Sequence, residues 1–163
     1  MNEELAPNSS KRCTEAVSFE SHRLRKVFRE VVPTREYMYT ALFVKDVASL
    51  LKRFPPKHGK FFGEHSTIEF NPANLDGIEI GNESKIKIIG RAWDEYGDDL
   101  LVENPKSKNT YPHITLSRAD GAPRLYSQVL FAKSDTENHM EYFDNQQVEV
   151  VEGYSKDGIL VTS

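Results

Sequence analysis

The gaps between the strand-like runs of this chain are short, and that limits its fold more than any other feature. "SKIKIIGRAW" (84–93) is followed after one turn-like stretch by a run over 98–104, and "YPHITLS" (111–117) comes after "PKSKN". Parallel neighbours need a crossover of a dozen or more residues, whereas antiparallel neighbours join through a hairpin. "YMYTALFV" (37–44) and "HSTIEF" (65–70) read as further strands, rich in aromatic and β-branched residues. "QVLFAKS" reads as a strand or a short helix, and "QVEVVEGYSKDGILVTS" as two short strands about a Gly/Asp turn. Only two helices are predicted with a clear face. One covers 14–32, with Leu24, Val27, Phe28 and Val31 at helical spacing, and ends at Pro33. The other follows "YMYTALFV", with Asp46 as N-cap, Val47, Leu50, Leu51 and Phe54 as its apolar face, and Pro55-Pro56 as its stop. Strands, two helices and no βαβ rhythm predict an α+β fold with a largely antiparallel sheet.

At 163 residues the chain suits a single domain over 14–163, after a polar lead-in over 1–13. The lead-in lacks the apolar stretch of a secretory signal, no run is long enough to cross a bilayer, and Cys13 has no partner for a disulfide. A cytoplasmic monomer without membrane contact or cofactor is the expectation. The net charge of −4 argues against a broad grip on duplex nucleic acid. The charge is uneven, with 12 Lys and Arg against 7 Asp and Glu in residues 1–60, and 9 against 18 in the rest. A local basic pocket for a nucleotide or an RNA end is therefore compatible with the sequence. Arg23, Arg25, Lys26 and Arg29 give the 14–32 helix a basic face, whose plainer reading is a solvated one.

The chemistry-bearing pattern is a repeat. His65-Ser66-Thr67 and His113-Ile114-Thr115 both have the form His-x-Thr, each followed by an apolar residue, Ile68 and Leu116. On a strand, residues two apart share a face. His65 therefore stands with Thr67 and, further on, Glu69; His113 stands with Thr115 and Ser117. Ile68 and Phe70, and Ile114 and Leu116, are left for the core side. In-line cleavage of a phosphodiester needs a base on the attacking side and an acid on the leaving side. Two imidazoles suit both tasks, since their ordinary pKa is about 6.5. Two hydroxyls supply donors for the phosphoryl oxygens. The scheme needs no metal. A lone His-x-Thr reads as a hydrogen-bonded, half-buried histidine; two in strand context point to a shared site. His22, His58 and His139 lack that context and read as surface residues.

"HSTI" and "HITL", with "NTYPHITLSRADGAPRLYS" around the second, resemble the signature of the 2H phosphoesterase superfamily. That superfamily includes RNA-end 2′,3′-cyclic phosphodiesterases, the phosphodiesterase domain of tRNA ligases, 2′-5′ oligoadenylate-cleaving enzymes and phage enzymes that destroy cyclic-nucleotide signals. The resemblance covers about residues 37–131. It implies two antiparallel lobes with the active site in the cleft between them. It also implies His65 and His113 as the acid/base pair, and Thr67 and Thr115 as phosphate clamps. The histidines lie only 48 positions apart, so the second lobe must be compact. The 14–32 helix falls outside the resemblance.

Tyr111 is placed either to stack on a base or to close the core edge. Ser127 and Arg124, in the stretch after the second motif, are candidates for phosphate or sugar, although a solvated loop is the plainer account of Arg124. Trp93, Asp94 and Glu95 introduce "DEYGDD", read as an acidic hairpin turn rather than a metal or acid/base site. Glu64 and Glu69 flank the first motif. The functional expectation is a metal-independent phosphodiesterase for an RNA 2′,3′-cyclic phosphate, a 2′-5′ linkage or a cyclic oligonucleotide. The alternatives are a non-catalytic nucleotide- or RNA-binding module, a metalloenzyme using the histidines with nearby carboxylates, and a structural partner-binding domain.

Overall fold

A computed structural model describes residues 38–123, 125–134 and 139–163. The expected 1–13 lead-in and 14–32 helix lie outside the described residues, as do Cys13, His22 and Arg124. In chain order the elements are β1 (Tyr39–Val44), α1 (Val47–Arg53), β2 (Lys60–Phe61), β3 (His65–Phe70), β4 (Glu83–Trp93), β5 (Gly97–Val102), β6 (His113–Arg118), α2 (Tyr126–Ser134), β7 (His139–Lys156) and β8 (Ile159–Val161). The strands form one curled sheet in the order β2-β6-β5-β4-β7-β1-β3, with β8 on β7. All pairings are antiparallel. The protein is thus α+β and mostly sheet, as the short connections predict. Among the described residues no helix is long and apolar enough to cross a membrane.

The main core draws on every long strand. Leu42, Val44, Ile68, Ile86, Ile88, Leu100, Val102, Ile114, Leu116, Val148 and Val150 meet Leu50 and Phe54 of the α1 region. Helix α1 starts as expected, with Asp46 Oδ1 accepting from Ser49 N at 3.0 Å. The alternate residues of β1, Tyr39, Ala41 and Phe43, form a second cluster on the opposite face. Helix α2 buries Tyr126, Leu130 and Phe131 against Ala92. It settles "QVLFAKS" as helix. It also lies close over the β4–β5 hairpin: a Cβ on Gly97 would sit 3.1 Å from the Tyr126 ring.

Three segments differ from the sequence reading. The final strands were expected to be short, but β7 is 18 residues long and begins at His139. It pairs with β4 along most of that length, with an irregularity across 143–145, and with β1 over its second half, so tertiary pairing extends the strand through the poor strand formers of "DNQQ". "PPKHGKFFGE", whose Pro and Gly residues read as a loop, contains β2, which pairs with β6. Phe70 was assigned to the core side but is 61% exposed.

The chain from β2 into β3 closes the curl. Phe62 N and Gly63 N donate to Leu116 O and Thr115 O of β6, at 2.8 and 2.7 Å. One residue later Glu64 O accepts from Val44 N at 2.8 Å, and β3 continues along β1. Two strands at opposite ends of the sheet order are thereby drawn side by side.

A buried ion pair holds the loop that leads there. Arg91 meets Asp98 through two hydrogen bonds, of 2.8 and 3.1 Å. Arg91 Nη2 also donates to Pro55 O at 2.8 Å, and Lys57 N donates to Asp98 Oδ2 at 3.0 Å. Ser117 Oγ donates to Asp98 Oδ2 at 2.6 Å and accepts from His58 N at 3.1 Å. His58 is therefore no solvated surface residue: its Nε2 also bonds Asp94 O at 2.8 Å. Asp98→Ala would strand Arg91 in a buried position and is expected to cost about 3–5 kcal/mol. Urea unfolding checks this, with Glu83→Ala, at a surface pair with Lys45, expected to leave the midpoint nearly unchanged.

Candidate functional site

The two His-x-Thr segments open β3 and β6, one on each side of the closure. In each, the residues facing the main core are the intervening Ser66 or Ile114 and the following Ile68 or Leu116, all buried. The histidines and threonines are half-buried on the other face. The two strands also share an irregularity that the sequence does not announce. Along β1 the register passes from Thr67 opposite Ala41 to Glu69 opposite Thr40, leaving Ile68 as the extra residue. Along β5 it passes from Thr115 opposite Asp99 to Ser117 opposite Asp98, leaving Leu116 extra. Each motif thus ends in a one-residue bulge at its apolar fourth position. Bulges re-aim side chains and break simple alternation. In β6 the bulge turns Ser117 away from the His113–Thr115 face and into the Asp98 cluster, which corrects the expectation that all three line one face.

His65 packs against Tyr39 at 4.8 Å and Phe43 at 5.8 Å between ring centroids. Burial, with His113 among the neighbouring charges, holds its pKa well below the ordinary imidazole range. Thr67 gives its carbonyl to Ser107 Oγ at 2.8 Å. His113 Nδ1 lies 2.7 Å from Tyr111 O, which assigns the Nδ1–H tautomer and leaves Nε2 with the lone pair. Gln128 of α2 fixes that carbonyl. Its Nε2 donates to Tyr111 O and its Oε1 accepts from Tyr111 N, both at 3.0 Å. Burial pushes His113 down to about 4. The Tyr111 ring packs 5.8 Å from Phe131, at the core edge, and what touches His113 is its carbonyl. Ser127, which closes the loop-like stretch "RADGAPRLYS" of the sequence, is instead the buried second residue of α2, with its Oγ 3.4 Å from Thr115 Oγ1.

The residue that sequence reasoning missed is Asp99. "DEYGDD" is a turn only in part. Asp94 accepts from Tyr96 N and Gly97 N at 2.9 Å, and from Lys133 at 3.0 Å and Tyr126 OH. Asp98 and Asp99 belong to β5 and are buried. Asp99 Oδ2 lies 3.5 Å from Thr115 Oγ1 and 4.0 Å from His113 Nε2. Burial raises its pKa to about 7, against the pull of the Ser127 hydroxyl and Arg118. The available signal was the alternation Asp99, Leu101 against Asp98, Leu100, Val102, which places Asp99 opposite "HIT" once the hairpin is registered. Arg118, 5.5 Å from the Phe62 ring, is the cation whose charge reaches both Asp99 and His113. Trp93 lies under Lys57 Nζ at 4.3 Å, outside the motif pair's own contacts.

Among the described residues no three His, Cys, Asp or Glu side chains gather as a metal site. A surface groove of about 460 Å³ between α1 and β7, lined by Asp46, Arg53, Lys85 and Glu149, contains none of the motif residues. A neutral Asp99 carboxyl can donate to an acceptor, and a neutral His113 Nε2 can accept a proton. The folded-state pKa of Asp99 exceeds its ordinary value, so its favourable contribution is complete at low pH and is lost as pH rises through about 7. Asp99→Asn removes that dependence. The variant should gain on the parent between pH ~5 and pH ~8, by at most about 3 kcal/mol, since two of the three pKa units lie above pH ~5. Urea midpoints at the two pH values measure this, and parallel shifts would contradict it. No family model, curated protein or solved structure matches the chain.

Proposed function

We propose that the protein is a phosphodiesterase of the 2H type that needs no metal, with His65 and His113 as its acid/base pair. The substrate class is an RNA 2′,3′-cyclic phosphate, a 2′-5′ linkage or a cyclic oligonucleotide. The observation that carries this reading is the matched pair: two His-x-Thr segments on neighbouring strands, each ending in the same bulge and each turning its His-Thr face away from the core. In this reading the two ends of the curled sheet act as the two lobes. The β1–β3 end carries one motif, the β5–β6 end carries the other, and the substrate phosphate sits between them. β4 and β7 lie between these two ends in the sheet and join them.

The reaction on a cyclic phosphate follows from the side chains. One imidazole takes a proton from water, whose oxygen bonds to phosphorus. The bond from phosphorus to the 2′ or 3′ oxygen breaks, and the other imidazole protonates that oxygen. The Thr67 and Thr115 hydroxyls donate to the non-bridging oxygens as charge gathers there. The tautomer at His113 makes Nε2 its working atom.

One observation favours the binding-module alternative. Both histidines are held neutral near pH 7, which suits ligand contact and leaves the acid unsupplied in the free protein. The test is incubation, with EDTA, with a 2′,3′-cyclic-phosphate oligomer, 2′-5′ oligoadenylate and cyclic dinucleotides. Turnover of at least one substrate is expected, with no detectable turnover by His65→Ala or His113→Ala. Thr67→Ala or Thr115→Ala should slow it by about ten- to a thousandfold. Histidine variants that keep the parent rate would sink the assignment. Nucleotide binding without cleavage would establish the alternative.

A further inference from the structure

The acid's proton has no source among the two histidines, and the buried Asp99 carboxyl beside His113 has no part yet in the reaction. Resting on the phosphodiesterase reading, we propose that Asp99 and His113 share a single proton, and that this proton reaches the leaving oxygen through His113 Nε2. Asp99 is then a positioning and proton-holding residue, with His113 as the acid and His65 as the base.

The geometry supports this from three sides. Asp99 Oδ2 faces the working nitrogen of His113 at 4.0 Å, with its carboxyl almost fully buried. The other His113 nitrogen is committed to Tyr111 O, so any proton gained must enter at Nε2. The Thr115 and Ser127 hydroxyls lie 3.4 Å apart and Thr115 contacts the same carboxylate oxygen, so the carboxyl is held beside the clamp hydroxyl. The groups facing Asp99 are Asp98 on its own strand, His113, Thr115 and Arg118 on β6, Ser127 on α2, and Ala92 across on β4. Asp98 is engaged by Arg91, so among the described residues facing Asp99 the group placed to exchange a proton with it is His113.

The balance closes. Water gives its proton to His65 as its oxygen bonds to phosphorus. The Asp99 proton passes to His113 Nε2 and on to the leaving oxygen as the phosphorus–oxygen bond breaks. His65 then releases a proton to solvent, and Asp99 takes one back. The net change is addition of water across one phosphoester bond. The contact must shorten by about 1 Å, or admit one water, for the transfer to occur.

Burial of both groups supports the pairing. Asp99 keeps its proton up to about pH 7, where His113 alone would have lost its own. Coupled groups titrate as a pair, so each reports the other's ionisation.

Two measurements on the full chain test this. Ring resonances of His113 are followed by NMR from about pH 5 to about pH 9 in the parent and in Asp99→Asn. An inflection near the Asp99 value in the parent, absent in the variant, is expected; no inflection in the parent, or the same one in both, overturns the shared proton. The pH–rate profile on the cleaved substrate is then compared. The alkaline limb should move at least one unit toward acid in Asp99→Asn, with about tenfold loss of rate near neutrality per unit moved. A uniform loss at every pH would show a merely structural carboxyl and overturn the delivery step. A parent that cleaves nothing overturns the delivery step along with the phosphodiesterase reading, while the NMR titration, made without substrate, still decides the shared proton by itself.

Discussion

The Arg91–Asp98 pair is the interaction on which the architecture turns. It is buried, doubly hydrogen-bonded, and its remaining acceptor capacity is taken by Ser117 and Lys57 N. Burying an isolated charge costs far more than one ion pair returns, so such a pair persists only when every polar atom around it is satisfied. Here the satisfying groups come from β4, β5, β6 and the loop after α1. That loop is fixed against the sheet at Pro55, Lys57 and His58, and β2 starts two residues later. The start of β2 is thereby set beside β6, and the following chain bridges to β1.

Closure determines what the two motifs can do. In sheet order β3 and β6 are far apart; in space the chain at Gly63 is hydrogen-bonded to Thr115. Each motif then gives one strand face to the core and leaves the other, with its histidine and threonine, for the proposed chemistry. The paired bulges give both the same local form, which is what a symmetric grip on one phosphate calls for. Around the second motif the surroundings are the more elaborate. Gln128 fixes a backbone carbonyl, the carbonyl fixes the His113 tautomer, and Asp99 faces the nitrogen left open. The first motif is lined instead by the rings of Tyr39 and Phe43. Two imidazoles of one residue type are thus given unlike environments, the usual means of assigning acid and base roles.

Much of the fold was legible. Short gaps fixed the antiparallel sheet, Asp46 and Pro55 bounded α1, and the buried faces of "HSTI" and "HITL" followed from period two. What was not legible depends on long-range pairing. β7 holds its poor strand formers because strands flank it. Ser117 departs from its expected face because the bulge at Leu116 breaks alternation. Asp99 was hidden in an acidic run that looks solvated until the hairpin register sets it opposite Thr115. Ser127 was placed on a loop because "QVLFAKS" has little helical periodicity to mark α2.

The central claim is that one phosphate engages both motifs at once. The most direct measurement is titration of the protein with a 2′-phosphorylated nucleotide while the ring nitrogens of His65 and His113 are observed together by NMR. The account predicts that both imidazoles respond with one shared dissociation constant, and that Thr67→Ala or Thr115→Ala weakens the response at both. A response at only one histidine, or two responses with separate constants, would contradict it.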